Sequence, residues 1–298
     1  MSCLFTFFCF FGFSQQPEYT LSNLSINSEY PHFGLSKVGH SKILFTSYQL
    51  NKKEKPVLVG GNTVLEICEA NVLADGSLSD IKPLKIDKDV ELPTITSATI
   101  DPSGSYLYVT TLYTKRNKPK GDFKETNFHI EVAEYLKGVG WTNFKVLPFC
   151  NPRYSYAHPA FSGDGKTLYF TANIRGGKET TKGGSDIFKV DVLDNNTFGE
   201  PENLGSKVNS YSKDMFPFVT NNAIYFVSDR PNGYGGFDIY KSAIDTDGTY
   251  TKAEKLIKPL NSAKDDLSIV LISDSSGYIV SKRDGGQGDD DVYYFKKN

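Results

Sequence analysis

A repeat that starts and stops out of phase is the feature that most constrains what this chain can fold into. Its clearest copy, Ala157 to Phe188, reads AHPAFSGDGKTLYFTA, then a loop with two Gly pairs, then GGSDIF. This is an apolar strand, a DG turn, a second strand with Leu168 and Phe170 on one face, a glycine loop and a third strand. The order recurs as MFPFVTNNAIYFVSD followed by GYGGFDIYKS (Met215 to Ser242), and as LSIVLISDSSGYIVSK followed by GGQGDDDVYYF (Leu267 to Phe295). Two weaker copies come first. SATIDPSGSYLYVTT (Ser97 to Thr111) leads to FHIEVAEYL (Phe128 to Leu136), and KILFTSY (Lys42 to Tyr48) leads to TVLEICEANV (Thr63 to Val72).

Each unit carries a fourth segment, seen as GEPENLGSKVNS (Gly199 to Ser210) and YTKAEKLIKPLNS (Tyr250 to Ser262). The last unit lacks it, and PEYTLSNLSINS (Pro17 to Ser28) supplies the same signature with no unit before it. Joining the two ends completes a fifth sheet and leaves no unpaired edge inside a ring, whereas an open solenoid would need a cap at each end. The spacing of roughly 50 to 65 residues is that of a four-stranded propeller blade with generous loops. The expected fold is therefore all-β: a five-bladed β-propeller of four-stranded antiparallel blades, closed by the N-terminal strand joining the last blade. Its blades are approximately 29–86, 87–150, 151–205, 206–258, and 259–298 plus 17–28, within one domain spanning 15–298. Aromatic residues at 13%, with 26 Gly and 14 Pro, fit short strands and tight turns.

Residues 1–14, MSCLFTFFCFFGFS, carry no charge and an apolar run from Leu4 to Phe13, too short to span a bilayer. They read as a signal peptide cleaved before Gln15, although no basic residue precedes the run; the competing reading is a buried N-terminal strand. The chain is thus expected to be exported, without a membrane span. Cys68 and Cys150 remain in the mature chain, too few for a disulfide-built scaffold, and whether they are bonded is open. A formal charge of −2 on 298 residues removes the broad positive field that non-specific nucleic-acid binding requires.

The third and fourth units resemble the WD-repeat-like propeller repeats of TolB and its relatives. His158, Pro159, Phe161, Ser162, Asp164, Gly165, Leu168, Tyr169 and Phe170 match the first part of that signature. Gly235, Gly236, Asp238, Ile239 and Tyr240 match the second. The wording of the copies is most similar to the propeller module of OmpA-family cell-envelope proteins of Bacteroidetes, which includes components associated with type IX secretion. That resemblance implies a periplasmic or outer-membrane-associated protein whose partners are envelope proteins. No OmpA-like segment follows the propeller, so peptidoglycan binding is not expected.

Candidate chemistry is sparse. His32, His40, His129 and His158 form no HxxxH or HExxH pair, no GxSxG stretch occurs, and the glycine pairs lie between strands without a Walker lysine or a following helix. No cofactor, metal or catalytic residue is expected. Asp186, Asp238 and Asp291 recur beside glycines, and are read as turn carboxylates accepting backbone N–H groups, with Ca²⁺ ligation as the alternative. Glu29, Glu91, Asp214, Asp265 and Asp266, with Tyr156 and His158 in the third unit, fall near the innermost strands. They are expected to gather at one mouth of the central channel as a ligand or partner site, or to form a solvated rim. The resulting expectation is a non-enzymatic protein-interaction module of the cell envelope. The alternatives are a glycan- or peptide-binding sensor, and a five-bladed propeller glycosidase.

Overall fold

The structure, a computed structural model, describes residues 19–194 and 197–298. The expected signal segment, 1–14, lies outside them. The regular elements are β-strands arranged as five antiparallel blades, and among the described residues no helix is long and apolar enough to cross a membrane.

From the axis outward, blade one consists of His32–Val38, Lys42–Tyr48, Leu65–Val72 and Leu78–Pro83. Blade two is Ser97–Ile100, Tyr106–Leu112, Phe128–Leu136 and Gly140–Val146. Blade three is Tyr156–Phe161, Thr167–Ala172 and Asp186–Leu193, its outer edge divided between Thr197–Phe198 and Glu202–Asn203. Blade four is Asp214–Thr220, Ala223–Ser228, Asp238–Ala243 and the short Glu254–Lys255. Blade five is Asp266–Ser273, Ser276–Ser281 and Asp291–Lys297, and its outer strand is Tyr19–Asn23 from the other end of the chain. Every innermost strand touches the innermost strands of both neighbouring blades, so the ring is closed.

Closure runs through an antiparallel register from Tyr19 opposite Lys297 to Asn23 opposite Tyr293. Leu24 continues it, donating its N–H to the Val292 carbonyl at 3.3 Å. The second strand of each blade packs against adjacent blades, which explains why its burial does not alternate: AIYFVS is buried at every position. Between blades five and one, Leu24, Phe45, Cys68, Tyr278 and Val280 share one core cluster.

Polar residues of the repeat stitch blade to blade. Asn27, Asn209 and Asn261, from the recurring Asn-Ser pair, are buried. Each accepts the N–H and donates to the C=O of one third-strand residue: Val292, Ile187 and Ile239 in turn. The first residue of the next innermost strand then donates its N–H to the preceding blade, as in Asp214 to Ser185, Asp266 to Phe237 and His32 to Asp290. This close passage explains a glycine. At Gly183, Gly235 and Gly288, three residues before the turn aspartates, an added Cβ would collide with the backbone of Ser212, Lys264 and Ser28.

Candidate functional site

The five innermost strands converge on a small central void. In blades one, three and four the innermost strand bulges, and the bulge places Gly34, His158 and Phe216 at positive φ of 64°, 55° and 51°. The rings of His158 in blade three and Phe216 in the neighbouring blade four stack with centroids 3.6 Å apart. His158 Nδ1 lies 3.2 Å from Thr171 Oγ1, and burial pushes its imidazole down to about 3, so the ring is neutral. What remains is a void of about 20 Å³ lined by serines, prolines and apolar side chains, with no carboxylate among its described lining residues.

The residues expected at the mouth are dispersed. Asp214 and Asp266 are fully buried. Asp214 accepts the Ser210 N–H and pairs with Arg230 at 2.5 Å, and Asp266 accepts the Ser262 N–H and pairs with Arg283 at 2.8 Å. Both carboxylates hold the connector between blades, a position filled by His32 in blade one and by the buried Tyr156 in blade three. Burial raises Asp266 above the usual carboxylate range, against Ser281 and Arg283, which lower it. Asp265 is half-buried and accepts the Phe237 N–H at 3.0 Å, while Glu29 is exposed.

The turn aspartates accept backbone donors. Asp186 takes the N–H groups of Lys182 and Gly183, Asp238 those of Tyr234 and Gly235, and Asp291 those of Gln287 and Gly288. Asp186 also accepts Asn203 Nδ2 at 2.7 Å. In blade four Lys255 occupies the Asn203 position, and Asp238 Oδ1 is left buried without a partner. Among the described residues no cluster of His, Cys, Asp or Glu could hold a metal ion. Cys68 and Cys150 are buried free thiols, and burial pushes both up to about 12.

Of the expected set, Glu91 lines a groove of about 420 Å³ on blade two. The connector from blade one contributes Asp87, Asp89 and Glu91, the loop after the second strand contributes Thr114, Arg116 and Asn117, the outer strand Phe144, and the third strand Glu131. Glu131 is 4% exposed. Its Oε1 lies 2.7 Å from His129 Nε2 and accepts Asn117 Nδ2 at 2.7 Å. His129 is fully buried and stacks on Tyr113, ring centroids 3.9 Å apart. Asp87 is held below the usual carboxylate range by the Asp89 N–H and the Thr142 hydroxyl.

Sequence reasoning overlooked His129 and Glu131, yet they carry a signal. The third-strand residue paired with the end of the second strand is aspartate in blades three to five, followed two positions on by an aromatic: Asp186 and Phe188, Asp238 and Tyr240, Asp291 and Tyr293. Aligned on the next residue, whose carbonyl accepts from the outer segment (Ile187, Ile130 and Ile67), the same two positions hold His129 and Glu131 in blade two and Glu66 and Cys68 in blade one. The repeat is broken in blades one and two, and the groove lies on the second.

No protein-family model and no curated protein matches this sequence. Solved structures with a similar fold include an α-L-arabinofuranosidase from Lactobacillus brevis, 12% identical, with TM-score 0.55 over 91% of this chain and 90% of that one. A second, described with GH130-family glycoside hydrolases that target β-1,2 mannosidic linkages in Candida mannan, is 11% identical with TM-score 0.50 over 90% and 85%. A putative TolB from Agrobacterium tumefaciens is 13% identical with TM-score 0.48 over 88% and 76%. At these identities the likeness is one of fold, and no sequence-level match ties the chain to propellers that precede OmpA-like domains. One expectation is corrected: proteins with this propeller fold include glycoside-processing enzymes, so the fold gives no ground for calling the chain non-enzymatic.

Proposed function

We propose that this chain is an exported recognition propeller of the cell envelope, and that its partner or ligand seats in the groove on blade two. The observation that carries this reading is the coincidence of a groove of about 420 Å³ with a blade whose structural aspartate and aromatic are replaced by a buried His129–Glu131 pair. A repeat position released from its structural duty and given a charged group facing a groove supports recognition better than packing. The test is capture of envelope proteins by the mature chain. It should compare the wild type with a variant carrying Asp89→Asn and Glu91→Gln, and with Lys137→Ala in the turn between the third and outer strands of blade two. A partner lost only with the groove variant supports the reading; a partner indifferent to the groove refutes it.

A second reading, glycoside hydrolysis in the same groove, is favoured by one observation. Asp87, kept ionised, and Glu131, buried beside His129, share the cavity, and acid–base hydrolysis requires two carboxylates in unlike settings. Sugar release from polysaccharides that disappears in Glu131→Gln and Asp87→Asn would select it over recognition alone.

A further inference from the structure

We infer that the groove on blade two captures a cationic side chain, an arginine guanidinium or lysine ammonium presented by a peptide segment of the partner; this rests on the recognition reading above. Of the neutral polar side chains lining the groove, Asn117 donates to Glu131 and accepts from the Thr114 N–H and hydroxyl, the Thr142 hydroxyl donates to Asp87, and Asn143 is exposed. Arg116, the one cation of the lining, places Nη1 on the Asp89 carbonyl at 2.9 Å.

The groups left over are acceptors and carry negative charge. Among the described residues the carboxylates of Asp89 and Glu91 hold no side-chain partner, and Glu131, which lines the groove, makes both of its contacts through Oε1. The lining thus holds four carboxylates, Asp87, Asp89, Glu91 and Glu131, against one arginine, an excess that favours a cation. A ligand that answers this set has to be rich in donors and positive. A guanidinium meets both conditions with a planar fork that suits a carboxylate, and an ammonium meets them as a point charge. Phe144, half-buried in the wall, offers an apolar surface for the aliphatic stem. The volume of about 420 Å³ accommodates a long side chain with the backbone on either side of it.

The experiment uses the mature protein and three capped tripeptides, Gly-Arg-Gly, Gly-Lys-Gly and Gly-citrulline-Gly, followed by backbone amide shifts in NMR. Citrulline keeps the shape of arginine and removes its charge. The arginine and lysine peptides are expected to shift amides of Asp89, Arg116, Asn117 and Phe144, to weaken as salt rises, and to bind at least about tenfold more tightly than citrulline. Glu131→Gln should remove most of this binding. Because that variant alters a buried pair, Asp89→Asn and Glu91→Gln at exposed positions serve as independent variants, each expected to weaken binding about threefold or more. Equal binding of the citrulline peptide, or shifts confined to other parts of the ring, would overturn the inference. If the peptides fail while partner capture still depends on Asp89 and Glu91, the recognition reading survives and the cationic ligand does not; if capture ignores the groove, both fall.

Discussion

Replacing Asn27 with alanine should weaken the closure of the ring by an amount the structure sets. Asn27 Oδ1 accepts the Val292 N–H at 2.8 Å, and its Nδ2 donates to the Val292 carbonyl at 2.8 Å and to Asn23 Oδ1 at 2.7 Å. The side chain is 5% exposed, so water cannot replace it freely. Truncation leaves one buried N–H without a partner, at about 1–3 kcal/mol. The Val292 carbonyl keeps the longer bond from Leu24 N–H at 3.3 Å, so its loss is smaller. The sum is about 2–4 kcal/mol, which for a domain of this size corresponds to a fall in Tm of about 3–7 °C. Thermal and urea melts of the protein measure it, with Asn209→Ala as the internal comparison, since Asn209 makes the same two bonds to Ile187 without joining the chain ends. A melt of Asn27→Ala within about a degree of wild type, beside a clearly lowered Asn209→Ala, would refute the claim that the N-terminal segment closes the ring.

Other outcomes follow from buried charge and close packing. Asp290 is raised to about 6, first by burial and then by Asp289, Asp265 and Asp291 against the opposing Lys282. Its ionisation therefore costs stability above pH about 6, and the cost fades as pH falls toward the unfolded value near 4. Asp290→Asn should be about 1–3 kcal/mol more stable than wild type at pH 8 and no more stable at pH 4, as read from paired urea melts. His158 behaves oppositely. Held neutral down to about 3, it lets the unfolded chain alone take up a proton below pH about 6.5, so stability falls by up to about 1.4 kcal/mol per pH unit. His158→Gln should flatten that acid limb in a pH series, whatever it does to the absolute Tm. Gly235→Ala forces a Cβ against the Lys264 backbone and should cost about 1–3 kcal/mol in a chemical melt.

Architecture was legible because repetition multiplies weak signals. One strand such as KILFTSY is ambiguous between a buried strand and other apolar segments, but five copies in the same order, with the fourth segment displaced to the far end, left a closed ring as the simplest solution. The Gly-x-Asp starts were readable for the same reason, since a turn rebuilt three times demands the same residues each time. The site was less legible. Sequence position placed Asp214 and Asp266 beside the axis, but whether a carboxylate there faces the channel or turns into the blade connector depends on Arg230 and Arg283, which lie 16 and 17 residues away in sequence. His158 read as part of the strand signature, whereas its stack on Phe216 arises from two bulges whose positive φ no local pattern announces. His129 and Glu131 were visible as a departure from the repeat, and only their burial beneath a groove gives that departure a use.

The division between structural and functional carboxylates is tested most directly by measuring partner capture and melting temperature together on Asp214→Asn and Glu131→Gln. Asp214 is sealed from solvent against Arg230, and Glu131 lines the groove. The account predicts a lowered Tm with capture retained for Asp214→Asn, because one member of a buried ion pair is neutralised. For Glu131→Gln it predicts capture reduced by about tenfold or more, with the partner and protein concentrations held fixed. Capture lost in Asp214→Asn while the fold persists, together with undiminished capture by Glu131→Gln, would contradict it.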